Sequence, residues 1–307
     1  MFAALAGGVG AAKLLAGIAK VIDPKELTVI GNTGDDIELH GLHISPDLDI
    51  AAYTLAGIVN ENYGWGIRED TFECLDALKV FSGREWFNLG DRDLATHIFR
   101  THLLRQGYSL TEVTKKVCAA LGVQTKILPM TDDRFETRIA TKAGTVHFEE
   151  YLVKQGAKEE VLGVEFFGVE NAKPALGVVE AIEEAQRVVI CPSNPVVSIG
   201  PILSVKGIRE ALKRTAAVVV GVSPIIGGKP VKGPADKLLR GLGFEVSAFA
   251  VAELYADFLD VFVIDWVDAA ERERIEELGL KVVVTDTLMR NVDDKVRLAK
   301  TVLDVEV

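Results

Sequence analysis

The sequence is poor in cysteine, in excess positive charge and in long apolar runs. Its three cysteines, Cys74, Cys118 and Cys191, are far apart and include no C-x-x-C pair, which argues against a disulfide framework and against a structural zinc site. With 34 Lys+Arg against 45 Asp+Glu the net charge is −11, so the basic surface typical of nucleic-acid-binding proteins is missing. No stretch reaches the ~18 uninterrupted apolar residues of a membrane span, and the Ala-rich N-terminus lacks the basic start of a signal peptide. We therefore expect a cytoplasmic protein that binds neither nucleic acid nor a membrane.

What the sequence does contain is an alternation of apolar strands and helical segments. Hydrophobic residues make up 49% of its 307 residues, enough for a full-sized core. Runs that predict buried strands lie at 2–6, 27–30, 187–191, 216–220, 261–264 and 282–284. Because helical segments connect these runs, we predict right-handed βαβ units and an α/β fold with a doubly wound, Rossmann-like parallel sheet.

The middle of the chain departs from this alternation. Residues 69–122 are rich in helical patterns, and residues 134–168 alternate in the manner of a β-hairpin. We therefore predict a Rossmann-like nucleotide-binding core formed by residues 1–62 and 172–307. Between these two parts we predict an inserted smaller α+β subdomain, 63–171, that covers the substrate site.

Three glycines follow the first predicted strand and precede a helix. Gly7, Gly8 and Gly10 let the backbone approach an anion and direct N–H groups at it, and Lys13 follows on the helix. The loop is neither a Walker loop nor a complete G-x-G-x-x-G, because Lys13 occupies the last glycine position. A tight turn that serves packing alone is the other interpretation. The position at the carboxyl end of a strand favours phosphate binding.

A polar cluster follows the second strand. It contains Asn32-Thr-Gly-Asp-Asp36 and then Ser45-Pro-Asp-Leu-Asp49. Its carboxylates can supply oxygen ligands to Mg²⁺ or act as a general base. Ser45 and Pro46 are also typical of an ordinary helix start, with serine as the cap and proline in the first turn. Both interpretations are compatible with Asp49 facing a site.

Two later strands also end in polar or glycine-rich loops. Ser193 and Asn194 follow the strand at 187–191, and Ser223 follows the next strand. Their side chains donate or accept hydrogen bonds as recognition of a base or a phosphate requires. Because the carboxyl ends of parallel strands gather at one sheet edge, the three loops together predict a nucleotide or diphosphate cleft.

A charged stretch, Asp91-Arg-Asp93, begins a predicted helix in the middle of the chain. The planar guanidinium of Arg92 can bind a phosphate, but the three charges can equally order a loop or cap the helix. His97 and His102 follow with a spacing of five, which does not place a metal-ligand pair on one helix face. We expect both histidines to be structural or surface residues.

The motifs taken in order resemble the 2-phospho-L-lactate transferase family over nearly the whole chain. They are Ala6-Gly-Gly-Val-Gly10, Asn32-Thr-Gly-Asp-Asp36, Ser45-Pro-Asp-Leu-Asp49, Gly64-Trp-Gly66, Leu89-Gly-Asp-Arg-Asp-Leu-Ala-Thr-His97, Pro192-Ser-Asn-Pro-Val-Val-Ser-Ile-Gly-Pro201 and Ser223-Pro-Ile-Ile-Gly227. The resemblance implies a magnesium-dependent enzyme of coenzyme F-420 biosynthesis, usually a homodimer. Such enzymes transfer a phospholactyl, phosphoenolpyruvyl or phosphoglyceryl group from a GDP-linked donor to the deazaflavin 7,8-didemethyl-8-hydroxy-5-deazariboflavin (FO), and GMP leaves.

The resemblance also implies roles for individual residues. It places FO against Asp49 and Asn88, with Asp91 and Arg92 nearby. The predicted contacts to the nucleotide and its phosphates are Gly7, Gly8, Gly10, Lys13, Asn32, Ser193, Asn194 and Ser223. Asp49 and Asp36 would hold Mg²⁺, and Asp49 would alternatively orient or deprotonate the terminal ribityl hydroxyl of FO. We therefore predict that Asp49→Asn abolishes transfer and leaves the fold intact.

Two other functions compete with the transferase. A related family of non-catalytic regulatory proteins that bind nucleotide sugars shares the Gly-Gly-x-Gly start and the Asn-Pro loop. A nicotinamide-dependent oxidoreductase fits less well, because the glycine fingerprint is incomplete and a long polar loop replaces the single acidic ribose ligand. Release of GMP in the presence of FO, the donor and Mg²⁺ separates the transferase from both. The sequence does not distinguish among the three donor acids.

Overall fold

A seven-stranded parallel sheet forms the centre of the protein in this computed structural model, which describes residues 1–82 and 86–306. Its spatial order is β14-β13-β10-β9-β1-β2-β5. In chain order these strands are β1 (Phe2–Ala6), β2 (Leu27–Gly31), β5 (Lys126–Pro129), β9 (Arg187–Ile190), β10 (Val218–Val222), β13 (Val261–Asp265) and β14 (Lys281–Thr285). Every neighbouring pair is parallel, so the predicted doubly wound α/β fold is confirmed.

Helices connect and cover these strands. They are α1 (Gly8–Val21), α2 (Pro46–Leu55), α3 (Glu73–Ser82), α4 (Asp91–Arg105), α5 (Leu110–Ala120), α6 (Val178–Glu183), α7 (Gly200–Ser204), α8 (Ile208–Arg214), α9 (Ala235–Gly241), α10 (Ala248–Tyr255), α11 (Arg272–Glu276) and α12 (Val292–Asp304). Short 3₁₀ segments lie at Pro24–Glu26 and Trp266–Glu271, and single π-helical turns at Glu150–Lys154 and Pro195–Ile199. Within the described part of the chain, none of these helices is long and apolar enough to cross a membrane.

The sheet is buried on both faces because its central strands are apolar at nearly every position. Alternate side chains of β1 enter opposite layers: Ala3 and Leu5 pack in one, Ala4 and Ala6 in the other. Helices α1 and α12 cover the second layer with Leu14, Ile18, Leu298 and Val302, and helices α6, α8 and α10 cover the first.

The remaining strands form small antiparallel sheets. A three-stranded sheet has the order β7-β6-β8, with β6 (Glu136–Thr141), β7 (Gly144–His147) and β8 (Gly163–Phe167). Two hairpins pair β3 (Ile37–Leu39) with β4 (Leu42–Ile44), and β11 (Ile225–Ile226) with β12 (Lys229–Pro230). The predicted hairpin in the middle of the chain is therefore present.

The edge strand β5 lies within the segment predicted as an insertion, residues 63–171. It pairs in parallel with β2, so this part of the segment belongs to the central sheet. A four-residue strand is hard to recognise in the sequence, because Lys126 and Pro129 leave only two apolar residues between them. The division of the chain at residues 63 and 171 stays a prediction.

The direction in which strands are added to the sheet reverses between β1 and β9. From β1 the chain proceeds outward to β2 and β5, whereas from β9 it proceeds outward on the other side to β10, β13 and β14. The loops after β1 and β9 therefore diverge and leave a crevice at the carboxyl edge of the sheet. In open α/β sheets this is the place where ligands bind.

Candidate functional site

A cavity of about 650 Å³ lies at the carboxyl edge of the sheet, over the crevice between β1 and β9. Nine of the residues predicted from the sequence line it: Gly7, Gly8, Gly10, Lys13, Asp49, Asn88, Ser193, Asn194 and Ser223. They come from five separate segments of the chain. The structure thus brings most of the predicted site together, and the other four predicted residues, Asn32, Asp36, Asp91 and Arg92, lie outside the lining.

Helix α1 begins directly at the glycine loop. Gly8 has a φ of +71°, a backbone conformation that favours glycine, and the chain enters the helix from there. The N–H of Gly8 donates to Oδ1 of Asp47 at 2.7 Å, and the N–H of Gly7 to Oγ of Ser193 at 3.4 Å. A carboxylate thus occupies part of the predicted phosphate loop. The N–H groups of Val9 and Gly10, in the first turn, have no acceptor within the helix.

Gly10 lies against the loop that follows β9. A Cβ atom at this position would stand 2.2 Å from the carbonyl oxygen of Pro192, which is backbone and cannot move aside cheaply. We expect Gly10→Ala to lower the free energy of unfolding by about 1–3 kcal/mol, since the two loops must separate. Urea unfolding measures the change. Gly57→Ala, where a Cβ meets no atom within 4 Å and only the positive φ is strained, is the comparison variant and should lose less. Equal losses in the two variants would contradict the close packing of the loops.

Asn32 lies behind the cavity and positions Asp47. Its Nδ2 donates to Oδ2 of Asp47 at 2.9 Å and to the carbonyl of Val197 at 3.2 Å, and its Oδ1 accepts from the N–H of Gly34 at 2.8 Å. Since Asn32 is fully buried, its described contacts orient a carboxylate and join two loops. Contact between Asn32 and the nucleotide stays a prediction.

Asp36 also lies outside the lining. Its Oδ2 accepts from Oγ of Ser45 at 2.7 Å and lies 2.9 Å from Nε2 of His43. These contacts tie the β3–β4 hairpin to the start of α2.

Asp91 and Arg92 have structural contacts as well. Asp91 accepts from Oγ1 of Thr71 at 2.6 Å and from the N–H groups of Glu73 and Cys74, which fixes the start of α3. The exposed guanidinium of Arg92 donates to the carbonyl of Arg68 at 3.3 Å. These contacts agree with the interpretation that the charged residues order a loop. A role of Asp91 and Arg92 in FO binding stays a prediction.

Asp49 belongs to a buried charge network that the sequence did not reveal. Arg100 of helix α4 forms a bidentate ion pair with the Asp49 carboxylate: both terminal nitrogens donate to it, and one of them lies 3.0 Å from Oδ2. Nδ1 of His97 lies 3.6 Å from the same carboxylate, and its Nε2 lies 3.3 Å from Oδ1 of Asp93. The hydroxyl of Tyr53 donates to Asp93 at 2.7 Å. Burial raises the pKa of Asp49, and Arg100 and His97 oppose that shift.

Arg100 is the largest side chain in this network and is 1% exposed. The expectation that His97 is a structural or surface residue missed its place in the lining beside Asp49. A signal was available in the spacing. Asp93, His97 and Arg100 stand at i, i+4 and i+7, which puts three chemically active side chains on one face of a helix.

A second group of buried carboxylates lines the same cavity. It consists of Asp35, Asp47 and Glu149, and in the described residues no lysine, arginine or histidine nitrogen lies within 4.0 Å of them. Burial, together with the nearby charge of Asp47, raises the pKa of Glu149 to about 8, and burial raises the pKa of Asp47 to about 6. The pKa of Asp35 is also well above its ordinary value, because of burial and of Asp47 and Glu149.

These three carboxylates, called here the acidic cluster, offer the oxygen ligands that a divalent cation takes, although in the described residues their ligand atoms do not all lie within 4.8 Å of one another. Oδ1 of Asp35 is buried with no hydrogen-bond partner, and oxygen ligands without a competing cation are what Mg²⁺ prefers. Among the described residues, the group that does bring its ligand atoms within 4.8 Å of one another is Asp49, Asp93 and His97. There, however, Arg100 already neutralises Asp49, and a cation would have to displace it. Of the acidic cluster, Glu149 had no signal in the sequence, since about 100 residues separate it from the other two.

Comparison with known proteins fits this geometry. The family model described as CofD, 2-phospho-L-lactate transferase, matches residues 2–302. The chain belongs to the CofD family. It is 46% identical to a phosphoenolpyruvate transferase of Streptomyces griseus, over 98% of this chain and 96% of the relative. It is 44% identical to a 2-phospho-L-lactate transferase of Methanosarcina acetivorans, over 97% of each chain. Membership in the CofD family confirms the resemblance and the predicted enzyme class, a transferase of coenzyme F-420 biosynthesis.

A more distant likeness concerns the fold of CofD proteins. A crystal structure of a Bacillus halodurans protein of the UPF0052 family superposes with a TM-score of 0.64 at 16% sequence identity, over 98% of both chains. At this identity the likeness shows the fold alone.

Proposed function

We propose that this chain transfers a phosphoenolpyruvyl or phospholactyl group from a GDP-linked donor to the terminal ribityl hydroxyl of FO, with release of GMP. The observation that carries the proposal is the mixed lining of one cavity. The glycine loop, the loops after β9 and β10, and charged side chains contribute to it. The same cavity is also lined by apolar and aromatic side chains, among them Ile44, Ile50, Tyr53, Trp65, Phe87, Phe148, Leu152 and Val153. A flat deazaflavin ring and a nucleoside diphosphate need both kinds of surface in one site.

The charge network supports the role proposed for Asp49. The ribityl hydroxyl attacks the phosphorus that carries the three-carbon acid, so the enzyme must orient that hydroxyl and accept its proton. Phosphoryl-type transfer depends more on positioning and charge neutralisation than on covalent help from the protein. Arg100 and His97 hold the Asp49 carboxylate in one orientation at the cavity wall. Asp49 then accepts the hydrogen bond of the hydroxyl.

We assign the magnesium ion to Asp35, Asp47 and Glu149 in preference to Asp49 and Asp36. Among the described residues, no lysine, arginine or histidine nitrogen lies within 4.0 Å of the acidic cluster, whereas Arg100 binds Asp49 and Nε2 of His43 lies 2.9 Å from Asp36. Asp35 and Asp36 each have one buried carboxylate oxygen without a hydrogen-bond partner. When bound, the ion supplies positive charge to the diphosphate of the donor. Asp47 bridges the cluster and the glycine loop through Gly8, so the metal ligands and the phosphate loop form one unit. The homodimer implied by the family stays a prediction.

The proposal predicts GMP release that requires both substrates. Purified protein is incubated with FO, Mg²⁺ and either the phosphoenolpyruvyl or the phospholactyl donor, and GMP and the product mass are measured. We expect a product heavier than FO by the transferred group, and no GMP beyond donor decomposition when FO is omitted. Direct competition between the two donors then identifies the preferred acid from the ratio of product masses. Tight nucleotide binding without GMP release from either donor would favour the regulatory protein instead.

A further inference from the structure

Two lysines line the same cavity. Lys13 stands on helix α1, and Lys232 stands on the loop after the β11–β12 hairpin; both belong to the lining. They are close enough that partial burial and the charge of Lys13 lower the pKa of Lys232. Among the described lining residues, Arg290 is the other lysine or arginine, and it pairs with Asp286 and Asp294. Neither lysine has a carboxylate within 4.0 Å in the described part of the chain.

Each lysine is held only by a backbone carbonyl among the described residues. Nζ of Lys13 donates to Met289 at 3.3 Å, and Nζ of Lys232 donates to Tyr63 at 2.5 Å. A carbonyl does not neutralise an ammonium group, so two like charges remain together at the cavity wall. Such a pair is unfavourable unless an anion lies between them. An ammonium has three donors, so each lysine can keep its carbonyl and bind an anion as well.

The hydrogen-bond partner of Lys232 connects it to another segment beside the cavity. Tyr63 lies in the segment 60–66, a turn closed by the hydrogen bonds Gly64 N–H to Asn60 and Asn60 N–H to Gly66, at 2.7 and 3.0 Å. The ring of Tyr63 stacks on that of Trp65 at 5.4 Å, and Trp65 lines the cavity. Lys232 therefore joins the loop after the β11–β12 hairpin to a segment that supplies one of the aromatic lining side chains proposed to receive the deazaflavin ring.

We propose that Lys13 and Lys232 together bind the distal phosphate of the GDP-linked donor, and that Lys232 thereby fastens segment 60–66 to the bound donor. This inference rests on the proposed function for the identity of the donor. The distal phosphate carries the three-carbon acid and is the atom group under attack. Two ammonium groups beside this phosphate withdraw electron density from its phosphorus and hold the phosphate facing FO. Lys232 acts here as a binding and positioning residue.

The test uses GDP and GMP as probes, so that it does not depend on turnover. GDP has the distal phosphate and GMP lacks it. Calorimetric titration in the presence of Mg²⁺ should show that Lys232→Met weakens GDP binding about 10-fold or more and leaves GMP binding within about 3-fold. Lys232→Arg should restore most of the GDP affinity. Lys229→Met, an exposed lysine of the same hairpin that does not line the cavity, is the matched control and should bind both nucleotides normally.

Hydrogen exchange tests the second part of the inference. In the wild-type protein, GDP should slow amide exchange in residues 60–66, and GMP should not; in Lys232→Met the effect of GDP should vanish. Equal weakening of GDP and GMP binding, unchanged GDP binding, or protection of 60–66 that persists in Lys232→Met would each overturn the inference. Absence of transfer to FO alongside the expected GDP results would instead count against the proposed function alone.

Discussion

Replacement of Arg100 by methionine should lower the free energy of unfolding by about 3–5 kcal/mol, the range typical when one partner of a buried ion pair is removed. Methionine fills much of the same space, so the loss comes from charge rather than from a cavity. Asp49 would be left as a buried carboxylate whose remaining neighbours are His97 and the like-charged Asp93. Denaturant unfolding at pH 7 measures the difference. Arg105→Met, on the same helix with an exposed hydrogen bond to the carbonyl of Gly41, is the matched control.

The structure changes what we expect when Asp49, the ion-pair partner of Arg100, is substituted. Asp49→Asn was predicted to abolish transfer with the fold intact, but it leaves Arg100 as a buried cation without a carboxylate. We therefore expect the Asp49→Asn variant to lose stability as well as activity. The double variant Asp49→Asn/Arg100→Met should be more stable than either single variant, because the two charges are removed together. Additive losses in the double variant would show that the pair is not coupled.

Activity separates the roles of the two residues. Under conditions where each variant is folded, Asp49→Asn should reduce kcat by about 10²-fold or more, as expected for a group that handles the proton of the attacking hydroxyl. Arg100→Lys keeps the positive charge but loses the bidentate hydrogen bond to the Asp49 carboxylate. We expect Arg100→Lys to reduce kcat less than Asp49→Asn does, with little change in the KM for the donor. Activity of Asp49→Asn near that of the wild type would remove Asp49 from the mechanism.

Neutralisation of Asp35 should make the metal-free protein more stable and its stability independent of magnesium. Asp35 is buried beside two other carboxylates, and its charge is destabilising when no cation is present. In the wild type, thermal unfolding at pH 8 should shift to higher temperature on addition of Mg²⁺, because the ion binds only the folded state. Asp35→Asn should start from a higher transition temperature and lose most of that shift. Glu38→Gln, an exposed carboxylate three residues away, should behave as the wild type.

The pH dependence follows from the same carboxylates. Glu149 has a pKa of about 8 in the folded protein and 4.5 as its ordinary value, and Asp47 about 6 against 3.8. Between these values the folded state binds more protons than the unfolded state, so metal-free stability falls as the pH rises from about 4 to about 8. Saturating Mg²⁺ should flatten this decline. A metal-free protein that gains stability over the same range would contradict the burial of uncompensated carboxylates.

Most of the fold was predictable because its signals are local. Strand β13 is a continuous β-branched and aromatic run up to its last residue, Asp265, and a run that is apolar at nearly every position is typical of a sheet covered on both faces. The glycine loop and the loops after β9 and β10 were placed correctly at one edge, since parallel strands leave no other arrangement. Strand β5 was missed because Lys126–Pro129 is too short and too polar at its ends to stand out.

The sequence by itself determined the doubly wound sheet, the edge at which ligands bind, and the CofD motifs, because these depend on periodicity and on residues adjacent in the chain. The tertiary structure decided which carboxylates carry which partner. Arg100 reaches Asp49 across 51 positions, and Glu149 reaches Asp35 from a different part of the fold. Asp49 has a cationic partner, and Asp36 accepts a hydrogen bond from a serine. Asp35, by contrast, has Asp47 and Glu149 as like-charged neighbours, and both raise its pKa. Local patterns cannot show this, because the charge state of a buried group depends on what the fold packs around it.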